Sequence, residues 1–243
     1  MPVRTWIIVP AAGGGVRFGA ATPKQYADLG GRSVLAHTLE RLAELDATAI
    51  VVALAADDVR FDELIGARPD VLPLRCGGAT RGATVRNALR AIAPRCGDDD
   101  WVLVHDAARP CVPRESLARL VQELADDTVG GLLALPLADT LKRAAASDDP
   151  PRVMRTEERE GLWLAQTPQM FRHRLLAAAH GLDAAGGCTD EAQAIEALAA
   201  TGVCAMPKLV RGSAANVKIT HPGDLALAAA ILRMQAADAT GTT

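Results

Sequence analysis

The sequence has no basic block and no acidic tail, and its 243 residues carry a net charge of only -3. Proteins that bind nucleic acid or anionic membrane surfaces usually concentrate Lys and Arg on one face. The composition therefore disfavours both functions. Lysine is also scarce, because only four of the 26 Lys and Arg residues are lysine, at positions 24, 142, 208 and 218.

Cysteine pairs and metal-binding spacings are absent as well. The five cysteines are scattered, none forms a C-x-x-C pair, and none lies near histidines at zinc spacing. An odd number of cysteines in a chain of this length is typical of reduced thiols in a cytoplasm. We therefore expect no disulfide framework and no structural zinc.

Long apolar runs are the third absence. The apolar run near the N-terminus is too short for a signal peptide. No run approaches the ~18 apolar residues of a membrane-spanning helix. Together with the cysteines, this predicts a cytoplasmic protein.

Short β-branched runs do occur, and they alternate with longer stretches of helical periodicity. This alternation predicts an α/β domain with a mostly parallel, doubly wound sheet and helices on both faces. Nearly half of the residues are hydrophobic, enough for a sizeable core, and we expect a single domain over residues 1–243. Strands are predicted at 5–10, 48–54, 70–76, 100–106, 130–136 and 203–210. Helices are predicted at 33–45, 84–93, 114–125, 172–182, 190–201 and 224–237.

The pattern breaks between residues 137 and 161. This stretch is polar, contains Pro150 and Pro151, and carries short extended pieces. It leaves the core pattern, so we interpret it as a hairpin arm that protrudes from the domain. A disordered surface loop is the alternative.

The loop after the first predicted strand, VPAAGGGVRFGAATPKQY at 9–26, is rich in glycine and contains two cations. It is neither a Walker loop, since no G-K-[ST] follows, nor the dinucleotide fingerprint G-x-G-x-x-G. Glycines let several backbone N–H groups approach a phosphate, and Arg17 and Lys24 would add full charges. The alternative is a flexible turn with solvated cations.

Other loops at strand ends carry chemistry of the same kind. Gly77 and Gly78 precede a predicted helix, whose N-terminus favours anions. Asp106 ends the fourth strand, where one carboxylate, phosphates and waters suit Mg²⁺, although a helix cap or turn is the alternative. Lys218 precedes the last helix. Because ligands bind at the carboxyl ends of parallel strands, these groups predict a site for a triphosphate undergoing transfer.

At these residues the chain resembles the 2-C-methyl-D-erythritol 4-phosphate cytidylyltransferases. The motifs PAAGGGVRFG, PKQY, GGATRGATV, VHDAARP, DTLKR, LWLAQTPQMF, TDEAQ and NVKIT occur in that family's order, from about residue 7 to 232. PAAGxGxRxG alone would indicate only nucleotidyltransferases in general, whereas VHDAARP with TPQ and TDE is more specific. The resemblance implies a Rossmann-like nucleotidyltransferase fold, CTP and methylerythritol phosphate as substrates, a requirement for Mg²⁺, and a homodimer in which the arm reaches the neighbouring subunit.

The resemblance also implies roles for individual residues. Arg17, Lys24 and Lys218 would be catalytic, the first two at the attacked α-phosphate. Asp106 would hold the metal. The implied CTP-binding residues are Ala11, Ala12, Gly13, Gly14, Gly15, Gly78, Thr84 and Asp106. Those implied for the alcohol phosphate are Asp106, Arg109, Thr140, Arg159, Thr167, Thr189 and Lys218.

One position departs from the family, because Ala79 stands where an acidic residue often follows the glycine pair. Two other functions remain to be weighed. The chain could use another polyol phosphate, such as ribitol 5-phosphate, since such relatives share most of these loops. It could also be a non-catalytic nucleotide-binding module, but that class is expected to lose charged residues that are present here.

Overall fold

Seven strands form the central sheet of the computed structural model, which describes residues 3–14, 22–145, 150–182 and 187–240. Their order is β3-β2-β1-β4-β8-β5-β9. β8 runs antiparallel to both of its neighbours, β4 and β5, and the other neighbouring pairs are parallel. The predicted α/β class with a mostly parallel sheet is therefore confirmed. The strands are β1 Thr5–Pro10, β2 Ala49–Ala53, β3 Val71–Leu74, β4 Trp101–Val104, β5 Gly130–Pro136, β6 Leu141–Ala144, β7 Val153–Glu157, β8 Trp163–Arg172 and β9 Lys208–Arg211.

Helices cover both faces of this sheet, as predicted. Alternate residues of β1 point to opposite sides, so that Ile8 joins a core with α3, α5 and α6 while Ile7 joins a core with α1 and α4. Ser33 caps α1 by accepting a hydrogen bond from the Ala36 N–H group. The helices are α1 Val34–Leu42, α2 Arg60–Leu64, α3 Arg81–Ile92, α4 Arg114–Leu124, α5 His173–Leu182, α6 Glu191–Ala199 and α7 Asp224–Thr240, and a 3-10 turn spans Lys24–Tyr26.

One prediction of secondary structure is wrong in detail, and two elements, the short helix α2 and the strand β8, were not predicted. The strand predicted at 203–210 begins only at Lys208. Val203 and Met206 are more than half exposed, and Pro207 has no N–H group for a strand partner. The short helix α2 was not predicted, because five residues are too few to carry a clear helical period.

The arm predicted at 137–161 is a hairpin. β6 and β7 pair antiparallel and form a two-stranded sheet separate from the central one, with Leu141 opposite Glu157. Residues 146–149, between the two strands, lie outside the described residues. Val153 and Met154 are 64% and 63% exposed, so this hairpin presents apolar surface that its own subunit leaves uncovered.

None of the helices in the described part of the chain is both long enough and apolar enough to cross a membrane.

Candidate functional site

Two cavities meet at the carboxyl ends of the strands. The larger one has a volume of about 460 Å³ and the smaller one about 160 Å³. Three of the residues that the structure describes line both cavities: Arg81, Asp106 and Lys218. A ligand in one cavity and a ligand in the other would therefore approach each other at this charged group.

The floor of the larger cavity is the loop after β1. Gln25 is buried, and its Nε2 atom donates to the carbonyl oxygens of Ala11 at 2.9 Å and Gly13 at 3.1 Å. A Cβ atom added at Gly13 or Gly14 would meet no protein atom within 4 Å, so the space beside these glycines is open. Ala11, Ala12, Gly13 and Gly14 all line the cavity. Gly15 and Arg17, which sequence reasoning also assigned to this loop, lie outside the described residues.

The start of α3 forms a second wall. Thr80 caps the helix by accepting from the Ala83 N–H group. The Thr84 hydroxyl donates to the Thr80 carbonyl and accepts from the Gly78 N–H group, each at 3.0 Å. A Cβ atom at Gly78 would lie 2.6 Å from that of Ala83, so this glycine is needed for packing against the helix as well as for access to the cavity. Gly78 and Thr84, both predicted to meet CTP, line the larger cavity.

Asp106 lies at the centre of a cluster of cations. Its Oδ2 atom lies 2.8 Å from Lys218 Nζ and 3.5 Å from Arg109 Nε, and its Oδ1 atom accepts from Arg81 Nε at 3.1 Å. Burial alone would raise the pKa of Asp106, but Arg81, Lys218 and Arg109 outweigh burial and hold the pKa well below its ordinary value. The carboxylate therefore stays ionised and able to bind a cation.

Among the described residues that line the larger cavity, Asp106 is also the only acidic one. The described residues contain no group of three His, Cys, Asp or Glu side chains that could enclose a metal. A divalent metal here would take one carboxylate from the protein, and its other ligands would be substrate oxygens and waters. This donor set fits Mg²⁺, which is usually bound by one or two carboxylates together with substrate phosphates.

Arg81 is held by a second carboxylate, that of Glu191 at the start of α6. Arg81 Nη1 and Nη2 donate to the two oxygens of Glu191 at 2.7 and 2.9 Å, while Arg81 Nε remains on Asp106. Although burial favours the neutral guanidine, Glu191 and Asp106 raise the pKa of Arg81 above its ordinary value. The guanidinium is therefore fixed on three sides and fully charged.

His105 and Thr167 form a hydrogen-bonded group with the backbone of Asp106. The Thr167 hydroxyl accepts from the Asp106 N–H group at 3.0 Å and contacts His105 Nδ1 at 3.1 Å, while His105 Nε2 lies 3.1 Å from the Arg109 carbonyl. A carbonyl can only accept, so Nε2 carries the proton and Nδ1 accepts from Thr167. Burial lowers the pKa of His105 to about 4, so the ring is neutral near pH 7. His105 is thus buried and hydrogen-bonded to its neighbours in the fold.

The lysines of the site come from two distant segments. Lys24 lines the larger cavity and its Nζ donates to the Ile219 carbonyl at 3.2 Å, next to Lys218. Among the described residues that line this cavity, the cations are Lys24, Arg81 and Lys218, and the only carboxylate is that of Asp106. Even when Glu191, which pairs with Arg81, is counted, three cations face two carboxylates, and this excess of positive charge favours a polyphosphate.

Not every residue predicted to meet the alcohol phosphate lies at this junction. Arg109, Thr167 and Thr189 line the smaller cavity together with Asp106 and Lys218. Thr140 and Arg159 lie on the exposed arm and line neither cavity, and Arg159 Nη1 donates to the carbonyl of Ala138. Within one subunit, the described structure therefore brings five of these seven residues together.

Sequence reasoning assigned no role to Gln25, Arg81 or Glu191. All three stand in motifs that were singled out, PKQY, GGATRGATV and TDEAQ, but each was passed over for a neighbouring residue. Glu191 looks like an ordinary acidic residue in the first turn of a helix, where carboxylates are usually solvated, whereas it is fully buried. Only the tertiary structure reveals its partner.

Comparisons with known proteins point to one family. Residues 5–234 match the family model for 2-C-methyl-D-erythritol 4-phosphate cytidylyltransferase. The chain is 55% identical over 235 residues to a protein of that name from Dechloromonas aromatica, with 95% of this chain and 98% of the relative covered. It is 53% identical over 231 residues to another from Laribacter hongkongensis, covering 94% and 96%. A solved 4-diphosphocytidyl-2C-methyl-D-erythritol synthase superposes with a TM-score of 0.81 at 36% identity, covering 96% of this chain and 99% of that one.

Proposed function

The chain belongs to the 2-C-methyl-D-erythritol 4-phosphate cytidylyltransferase family, and we propose that its reaction takes place where the two cavities meet. The enzyme is a nucleotidyltransferase of isoprenoid precursor synthesis. It joins the cytidylyl group of CTP to methylerythritol phosphate and releases pyrophosphate. CTP occupies the larger cavity, and the alcohol phosphate occupies the smaller one.

The observation that carries this assignment is that Arg81, Asp106 and Lys218 line both cavities. Transfer needs a phosphate oxygen of the alcohol phosphate to reach the α-phosphorus of CTP, in line with the bond to pyrophosphate. One P–O bond forms, and the bond between the α-phosphorus and the bridging oxygen breaks with its electron pair going to pyrophosphate. Two phosphates brought together repel each other, and Lys218, the more exposed of the two shared cations, offsets that repulsion.

Lys24 is proposed as the cation of the chemical step. It lines the CTP cavity, and its ammonium group is a compact charge on a flexible stem that can follow the α-phosphate oxygens as their charge grows. Lys218, which is 42% exposed at its side chain, would bind phosphate as the substrates meet. Arg17 is the proposed partner of Lys24 on the α-phosphate, by the family resemblance alone.

Mg²⁺ is proposed as the cofactor, held by Asp106 and by phosphate oxygens of CTP. When bound, it would neutralise charge on the triphosphate. The chain's own contribution is a single carboxylate, kept ionised by its neighbours and fixed at its backbone by Thr167.

A homodimer is proposed, with the arm completing the neighbour's site. Thr140 and Arg159 carry the family's substrate-contacting positions, yet they line neither cavity of their own subunit. The exposed apolar residues of the hairpin, Val153 and Met154, also suit an interface. A cytoplasmic location is proposed as well, and the five free cysteines are consistent with it.

Isotopic label at a chosen phosphate of CTP tests which group is transferred to the alcohol phosphate. With the α-phosphate labelled, the label should appear in the alcohol product; with the γ-phosphate labelled, it should appear in pyrophosphate. Label from the γ-phosphate in the alcohol product would instead indicate a kinase and would contradict the proposal. The Lys24→Ala variant serves as the control for contaminating activity, because it should form neither product at an appreciable rate.

A further inference from the structure

Arg81 connects two carboxylates that come from different parts of the chain. Its two terminal nitrogens bind Glu191 as a fork, and its Nε binds Asp106. We propose that Arg81 and Glu191 are positioning residues: Glu191 holds Arg81, and Arg81 in turn fixes the Asp106 carboxylate for the metal and the two phosphates. This inference rests on the proposed function.

Glu191 can act in this way because its own position is fixed. It is the first residue of α6, and that helix end is attached to β8 through Gln169. The Gln169 Nε2 atom donates to Asp190 at 2.9 Å, and its Oε1 accepts from the Ala192 N–H group at 2.8 Å. Asp190 also caps the helix by accepting from Gln193 N at 2.9 Å. The Glu191 side chain is 0% exposed, so its carboxylate is directed at Arg81 by the fold.

The three cations around Asp106 differ in how firmly they are held. Lys218 is 42% exposed and is held to Asp106 by one ion pair, so a phosphate can draw it away. Arg81 cannot follow, because two charge-assisted hydrogen bonds bind it to Glu191. Asp106 Oδ1 therefore keeps its partner after Lys218 leaves, and Oδ2 is presented in a fixed direction.

Glu191 also sets how much charge Arg81 offers to Asp106. A guanidinium shared between two carboxylates neutralises each only in part, and Asp106 retains negative charge for a divalent metal. Without the charge of Glu191, Arg81 would bind Asp106 more strongly and compete with the metal. Groups that orient a metal ligand typically change metal affinity or activity about 10–100-fold when they are mutated.

A purely structural role for the pair is the alternative, since it also joins α3 to α6. The two roles separate in a variant that keeps the helices joined but lacks the charges. The double variant Arg81→Met with Glu191→Leu replaces the buried pair by apolar side chains of similar size, an exchange that often preserves or raises stability. If the pair is only structural, a stably folded double variant should be as active as the wild type. If the pair positions Asp106, the double variant should stay impaired even when it is stably folded.

The experiment compares wild type, Glu191→Gln, the double variant, and Glu196→Gln as the matched control, since Glu196 is exposed on the same helix. Thermal melting identifies which proteins are folded. Calorimetry then measures the dissociation constant of Mg²⁺ for enzyme saturated with the non-cleavable α,β-methylene analogue of CTP, and a pyrophosphate assay measures kcat and KM.

We expect the Mg²⁺ dissociation constant to rise and kcat to fall about tenfold or more in Glu191→Gln and in the folded double variant. The KM for CTP at saturating Mg²⁺ should stay within about twofold of wild type, and Glu196→Gln should match wild type throughout. Wild-type values of kcat and Mg²⁺ affinity in the double variant would overturn the inference, even if Glu191→Gln fails to fold. If the wild type and Glu196→Gln themselves release no pyrophosphate, the proposed function fails instead.

Discussion

Lys218 Nζ lies 2.8 Å from Asp106 Oδ2, at the junction of the two cavities. The lysine side chain is 42% exposed and the aspartate side chain only 10%, so the lysine has room to move and the carboxylate has little. A phosphate that enters either cavity offers Lys218 a second anion. We expect substrate binding to exchange this ion pair for a lysine–phosphate contact, which leaves one oxygen of Asp106 available to a metal.

Replacing Asp106 by Asn should weaken the use of Mg²⁺. An amide oxygen is a poorer ligand for a hard cation than a carboxylate, and no other acidic residue lines the larger cavity among the described residues. A magnesium titration of the initial rate should therefore show a higher half-saturation point. The exposed Asp62, paired with Arg75 on the surface, gives the matched control Asp62→Asn. A magnesium curve that coincides with that of the control would remove Asp106 from the metal site.

Lys24→Ala should lower kcat more than it raises KM. Charge grows on the α-phosphate oxygens as the transition state forms, so the cation contributes more there than in the bound substrate. Loss of one such group costs about 2.7–4 kcal/mol, or roughly 10²–10³-fold in rate. Lys208→Ala is the control, because that lysine is exposed and pairs with Asp127 outside both cavities. A raised KM with unchanged kcat would mean that Lys24 only binds.

Protonation of His105 in acid should lower the free energy of unfolding. The pKa of this buried histidine is lowered to about 4 from 6.5, so between these values the unfolded chain binds more protons than the folded one. Stability contributed by the neutral ring is therefore complete above pH 6.5 and declines as the pH falls toward 4, by up to about 3 kcal/mol. Losses from carboxylates with lowered pKa, such as Asp106, are concentrated at lower pH.

Denaturant unfolding at several values between pH 7 and 4 measures this effect. The His105→Gln variant has no group that titrates in that window at this position, so its free energy of unfolding should decline less steeply than that of wild type. Equal slopes for the two proteins would show that protonation of His105 is not the source of the acid sensitivity.

Mixed dimers test whether Arg159 acts on the neighbouring subunit. One subunit carries Lys24→Ala and the other Arg159→Ala, and each homodimer should be nearly inactive. If Arg159 acts in trans, one site of each mixed dimer combines an intact Lys24 with the neighbour's intact Arg159. Random mixing makes about half of the dimers mixed, so activity should recover to roughly a quarter of wild type.

Two controls make the mixing experiment decisive. Wild type taken through the same denaturation and refolding must keep its activity. Mixing Lys24→Ala with Asp106→Asn should raise the activity no higher than the average of the two homodimers, because both residues line the same cavity and every site then carries one defect. If Lys24→Ala with Arg159→Ala also restores nothing, Arg159 acts within its own subunit.

The parts of the site that sequence reasoning could predict are those that follow strands directly. Asp106 follows β4 and the glycine loop follows β1, and parallel strands bring such positions to one edge of the sheet. The residues it missed depend on distance in the fold rather than in the chain. Glu191 lies 110 residues from Arg81, and although it stands in the TDEAQ motif, the sequence does not show that Arg81 is its partner.

The structure of the arm could not be predicted from the sequence for a different reason. Its polar composition indicated only that it leaves the core, and the pairing of β6 with β7 decides between a hairpin and a loop. The prediction of a strand that begins at Val203 was wrong, because an apolar run forms a strand only where a neighbouring strand can pair with it. A helix can be recognised from its local periodicity, whereas the pairing of a strand depends on residues that are distant in the chain.

Initial rates of pyrophosphate release with a panel of polyol phosphates test the central claim most directly. CTP is held at saturation with Mg²⁺, and methylerythritol phosphate is compared with ribitol 5-phosphate. Our account predicts that kcat/KM for methylerythritol phosphate is the highest of the panel, and that the Lys24→Ala variant loses this activity. A higher kcat/KM for ribitol 5-phosphate, or no pyrophosphate release with any member of the panel, would contradict it.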